Sequence, residues 1–149
     1  MKTAIRILLV VQVVLLFHNS GYAQSGNLNS ATMKWVEFNI ETDVDVSCEG
    51  FEHTFNDEKK AKFIFNKADL FKFQSLFKEF KEVRPLRSFN VRGSVNFIYG
   101  KAGVKYCFNK FGYFFKDGKY YFNKPLMIFI ADKIFTQHPK YLDTLRQYD

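Results

Sequence analysis

The sequence is poor in the residues from which metal and nucleophile sites are built, with 2 cysteines and 3 histidines in 149 residues. No C-x-x-C, H-x-x-x-H or H-E-x-x-H spacing connects them, which excludes the usual structural and catalytic zinc patterns. G-x-S-x-G, G-x-x-x-x-G-K and the dinucleotide fingerprint are missing too, so the common serine-hydrolase, P-loop and Rossmann readings fall away. With only 3 prolines, no Pro-rich linker divides the chain. No apolar run approaches the roughly 20 residues that a membrane-spanning helix needs.

The longest apolar run is Ile7–Phe17, preceded by Lys2 and Arg6 and followed by Gly21-Tyr22-Ala23. A basic start, a short apolar core and a small-x-small site read as an export signal over residues 1–23, cut near Ala23-Gln24. No cysteine stands there to accept a lipid. The expectation is a secreted or periplasmic protein with no stable membrane span. Residues 24–33, rich in Ser, Asn and Gly, read as a disordered leader. Residues 34–149 read as one domain, long enough to bury a core.

Aromatic side chains are abundant, with 19 Phe and 8 Tyr. They concentrate in Val104–Phe122, where 9 of 19 residues are aromatic. The Lys116-Asp117-Gly118-Lys119 corner predicts a two-residue hairpin turn, because Asp-Gly adopts the positive φ of a type I′ turn at little cost. That turn sets Phe115 opposite Tyr120, Phe114 opposite Tyr121 and Tyr113 opposite Phe122. The apolar phase changes between Phe108 and Phe111, which predicts a β-bulge near Asn109–Gly112.

Trp35–Cys48 alternates apolar and polar residues, with Val36, Phe38, Ile40, Val44 and Val46 on one side, and predicts a long half-buried strand. Its outward Glu37, Glu41, Asp43 and Asp45 step along a strand rather than converge, as a hard cation would require. Ala61–Phe65 reads as a short strand. Asn66, with Asp69 three residues on, caps a helix expected over Lys67–Val83. Leu70, Phe73, Leu76, Phe77, Phe80 and Val83 fill its apolar stripe, and Phe71 falls outside it. Phe89–Tyr99 alternates again, interrupted by Gly93, which marks a bulge or a close backbone approach. Asn123 and Pro125 open a second helix. Its Leu126–Phe135 is apolar all round, so it is either sandwiched or docks on something, and a homodimer could form there. Together these elements predict an α+β fold, an antiparallel sheet or meander with two helices packed on it.

In an exported chain the two cysteines, Cys48 and Cys107, are expected to form a disulfide. Charge is segregated, with a net −7 over residues 25–58 and +12 over residues 59–124. The two blocks are expected to neutralise one another on neighbouring strands. Any remaining positive surface outside the cytoplasm favours an anionic envelope component or an acidic protein over nucleic acid.

The functional expectation is an exported, non-enzymatic binding or inhibitor-type module that recognises another macromolecule, with no cofactor and no metal. Lys116, Lys119 and Tyr120 of the hairpin, with the off-stripe Phe71, are the candidate contact residues. A basic module holding an anionic envelope polymer or membrane surface is the alternative. A small hydrolase using His53 or His138 is the second alternative.

Overall fold

The computed structural model describes residues 27–135. The expected export signal, His138 and the segment after Phe135 lie outside them. The described residues build a seven-stranded antiparallel sheet with two helices, a single-domain α+β fold as anticipated. In chain order the elements are β1 (Leu28–Trp35), β2 (Lys60–Ile64), α1 (Lys67–Phe77), β3 (Lys81–Val83), β4 (Gly93–Tyr99), β5 (Ala102–Phe108), β6 (Tyr113–Lys116), β7 (Lys119–Phe122) and α2 (Lys124–Ile134). Across the sheet the order is β2-β1-β4-β5-β6-β7-β3. The aromatic stretch thus supplies three adjacent strands, β5, β6 and β7.

Their hairpin forms in the expected register, with Phe115 opposite Tyr120, Phe114 opposite Tyr121 and Tyr113 opposite Phe122. Asp117 and Gly118 take φ of 49° and 79°, as a type I′ turn requires. The expected bulge at Asn109–Gly112 is instead the loop of a second hairpin, since Phe108 pairs with Phe114. The Asn109 amide donates to the Tyr113 carbonyl at 3.1 Å, and its side-chain oxygen accepts from the amides of Phe111 and Tyr113. The apolar phase changes there because two strands meet, not because one strand carries an extra residue.

Two further expectations are corrected nearer the start. The disordered leader does not hold from Leu28 onward, because that stretch is β1, paired on both sides by β2 and β4. Ala31 and Met33 of β1 are fully buried. The long strand over Trp35–Cys48 does not form. Val36 still donates to the Arg92 carbonyl at 3.0 Å, but the strands flanking β1 begin only at Gly93 (β4) and Lys60 (β2), so no ladder continues past Trp35. Side chains take over: Asn90 accepts from the Val46 amide at 3.0 Å and donates to Thr42. Arg92, 6% exposed, donates to the Ile40 carbonyl at 2.9 Å. The expected single apolar face is lost with the strand: Trp35 is buried and Val44 is 75% exposed, and Phe38 joins one core cluster while Val36 and Val46 join another.

The helix expected over Lys67–Val83 ends at Phe77. Glu79 and Phe80 then donate to the carbonyls of Leu76 and Phe77 in tight i-to-i−3 turns, and Lys81–Val83 becomes β3, satisfying the outer edge of β7. Phe80 nonetheless keeps its inward position, stacking on Tyr106 at 5.0 Å and 11°.

Both helices lie on one face of the sheet. Leu70, Phe73 and Leu76 of α1 and Leu126, Met127, Ile130, Ala131 and Ile134 of α2 pack there against Ala31, Met33, Val95, Phe97, Phe108 and Phe114. Burying a Phe, Leu or Met side chain stabilises by about 1.5–3 kcal/mol, so this layer supplies most of the driving force. Asn66 and Asn123 cap the helices as expected, accepting from the amides of Asp69 and Leu126 at 2.8 and 2.9 Å.

Side chains alternate along a strand, so Cys107 points to the opposite face from Tyr106 and Phe108. There the irregular segment after β1 folds back and forms a second cluster of Val36, Val46, Phe51, Val91 and Cys107. The expected Cys48–Cys107 disulfide is present in this layer, with Cα atoms 5.6 Å apart.

Candidate aromatic groove beside the first helix

Because α1 stops at Phe77, the sheet beyond its end has no helical cover. Tyr99 of β4, Tyr106 of β5 and Tyr121 of β7 stand half-buried there, on the helix side of the sheet. The flank of α1 that faces away from the core contributes Phe71, Gln74, Ser75 and Lys78. Phe77 and Phe80 close the base. The result is a groove of about 570 Å³ lined by these nine residues, within the roughly 300–1,000 Å³ typical of ligand sites.

Its rings are mutually braced. Phe77 lies 5.7 Å from Tyr106, and Tyr106 lies 6.3 Å from Tyr121 at 70°. The Lys116 ammonium sits 5.9 Å from the centre of the Tyr106 ring, within cation–π range. Burial pushes the Tyr106 phenol up to about 12 and raises that of Tyr99 as well. Both therefore remain protonated donors at any ordinary pH. The hydroxyls of Tyr99, Tyr106 and Tyr121 make no hydrogen bond to another described residue.

Charge around the groove is one-sided. No carboxylate lines it. Lys78 is exposed and has no ion-pair partner among the described residues. Lys116 contacts Asp117 at 2.8 Å. Lys119 pairs with Glu82 at 3.0 Å, and that hydrogen bond raises its pKa.

The four candidate contact residues from the sequence divide between two faces. Phe71 forms the outer wall of the groove and is 74% exposed. Lys116 and Lys119 lie on the same sheet face as Tyr121. Tyr120 lies on the other face, packed on Phe89 at 5.3 Å and Phe115 at 5.0 Å. Tyr99, Tyr106 and Tyr121 were not among the candidates. Their alternating positions were visible in the sequence, but the early end of α1 that uncovers them was not.

Other candidate chemistry is dispersed. The disulfide removes both sulfurs as nucleophiles, and the His53 side chain is exposed. Among the described residues no group of three or more His, Cys, Asp or Glu side chains is placed to hold a metal ion. On the far sheet face Glu52 bridges Lys34 at 2.9 Å and Lys105 at 2.6 Å, and Glu37 pairs with Lys60. Glu37 and Glu52 of the acidic block are thus joined to basic neighbours. A second recess of about 720 Å³ between α1 and α2 mixes Glu79 and Asp132 with Lys72, Lys81 and Lys124, so it has no single sign of charge. The α2 residues most relevant to a homodimer, Ile128 and Phe129, are partly buried, and Phe129 packs on Phe73 at 4.8 Å.

No family model, no curated protein and no solved structure matches the chain.

Proposed function

We propose that this protein is an exported, non-enzymatic binding module that takes a segment of another protein into the aromatic groove. The observation that carries this reading is Phe71, a large apolar side chain 74% exposed, lining one groove with three tyrosines whose hydroxyls have no described partner. Large rigid rings with a polar tip are what recognition surfaces use, because they offer contact area at little entropic cost. The export part rests on the disulfide, which persists in oxidising compartments. Among the described residues no helix is long and apolar enough to cross a membrane. The polymer-holding alternative has less support, since Lys34, Lys60, Lys105, Lys116, Lys119 and Lys133 are all engaged by carboxylates.

The test is selection of a displayed random-peptide library on the oxidised domain, followed by affinity measurement on wild type, Phe71→Ala and Tyr99→Ala. Selected peptides should bind the variants about tenfold more weakly, the loss expected for a central aromatic anchor. Absence of any enriched peptide, or peptides indifferent to both substitutions, would overturn the proposal.

A further inference from the structure

The groove also discriminates between conformations of its occupant. Strand addition needs an open sheet edge, but β4, β5 and β7, which floor the groove, are each paired on both sides. An α-helical ligand has its carbonyls spent on its own backbone, apart from the last turn. The groove instead offers three tyrosine hydroxyl donors with no described acceptor within an aromatic lining, the kind of surface on which proline-rich segments dock. A polyproline II segment has flat pyrrolidine rings that fit between aromatic side chains, and every carbonyl is free to accept. The charge of the groove adds a second demand. Lys116 at the margin is held by Asp117, but Lys78 is unpaired among the described residues and no carboxylate lines the groove, so an acidic residue beside Lys78 is favoured and a basic one repelled.

Resting on the proposed function above, we infer that the groove binds an extended, proline-containing peptide segment with acidic residues beside its prolines. The prolines seat on the aromatic lining, the peptide carbonyls accept from the tyrosine hydroxyls, and the acidic flank meets Lys78.

The test is an NMR titration of the isotope-labelled oxidised protein with a synthetic P-x-x-P peptide flanked by aspartates. Three comparison probes are the same peptide with serine for proline, the same with lysine for aspartate, and an oligogalacturonate. The expected result is saturable shifts at Tyr99, Tyr106 and Tyr121 with the first peptide. Binding should be about tenfold weaker for the serine peptide and for Phe71→Ala. Lys78→Glu should weaken the aspartate peptide and strengthen the lysine one. Because Phe71 and Lys78 are exposed, signals remote from the groove should stay in place and certify the fold. Equal binding of the serine peptide, shifts confined to another surface, or groove shifts from the oligogalacturonate alone would each overturn the inference. Library-selected peptides that depend on the groove yet lack proline would also overturn it while leaving the general binding reading intact.

Discussion

A Cβ added to Gly93 would lie 2.3 Å from Cζ of the Phe108 ring and 2.7 Å from the Lys34 carbonyl oxygen. The ring is fully buried and the carbonyl is backbone, so neither can yield cheaply. Gly93→Ala is expected to destabilise by about 3 kcal/mol, the upper part of the usual range for overpacking. Urea unfolding of the two proteins measures this; a loss below about 1 kcal/mol would mean that the strand shifts to make room.

Glu52 gives the fold a predictable acid response. The hydrogen bond from Lys105, joined by that from Lys34 and opposed by burial, lowers its carboxyl from an ordinary 4.5 to about 2. Its folded value is depressed, so its stabilisation is fully present above about pH 4.5 and is lost as pH falls through about 2. Partial exposure of all three side chains screens the interaction, which leaves on the order of 1–2 kcal/mol. Glu52→Gln should lower stability at neutral pH and flatten the decline across that acidic window. Parallel curves for the two proteins from neutral to acid pH would remove Glu52 as the cause.

The disulfide joins residues separated by 59 positions and fastens the irregular segment to β5. Its loss should cost about 2–4 kcal/mol, mostly by releasing the unfolded chain. Chemical denaturation of Cys48→Ser/Cys107→Ser beside the wild type provides the comparison. A thiol reagent added to denatured, unreduced wild type should find no free sulfhydryl. The double variant should keep the helix-side core, because Phe97, Phe108 and Phe114 belong to the other layer.

Asn123, 1% exposed, has two duties. Its oxygen caps α2 at Leu126, and its amide nitrogen donates to the Leu76 carbonyl at 2.7 Å, near the end of α1. Asn123→Ala should therefore cost about 2–3 kcal/mol, the sum of a lost cap and a buried carbonyl left without its donor. Asn123→Asp retains the cap acceptor but sets a carboxylate against that carbonyl. It should be as harmful as alanine at neutral pH and recover in acid. Rescue by aspartate at neutral pH would show that capping alone matters.

The parts of the fold legible in the sequence were those set by local chemistry. Asp117-Gly118 fixed a turn and hence a whole register, and Asn66 and Asn123 announced their helices by cap preference. The disulfide followed from there being two cysteines in a chain read as exported. The parts not legible depended on partners distant in the chain. In β1 the register shifts between Leu28 and Ser30, which spoils its period, and its Asn and Ser residues resemble loop composition. Glu37–Val46 has a strand's alternation, yet what it meets is the side chains of Asn90 and Arg92. Lys81–Val83 continues a helical stripe and turns into a strand because β7 presents an edge. The groove inherits that limit: Phe71 stood out alone, whereas its tyrosine partners became visible only when α1 was seen to end at Phe77.

The strand order also fixes when the molecule can close. β1 sits between β2 and β4, and β3 waits at the far edge for β7, while the helix side of the sheet is completed by α2. A chain made from its amino end therefore holds its phenylalanines unsheltered until nearly the whole described region exists. Among the described strands, four pairings join consecutive strands and two, β1–β4 and β3–β7, reach across the chain, which places folding with mixed α/β domains, between helical bundles and all-β sandwiches. Partly made chains therefore cannot complete the helix-side core until α2 has been added.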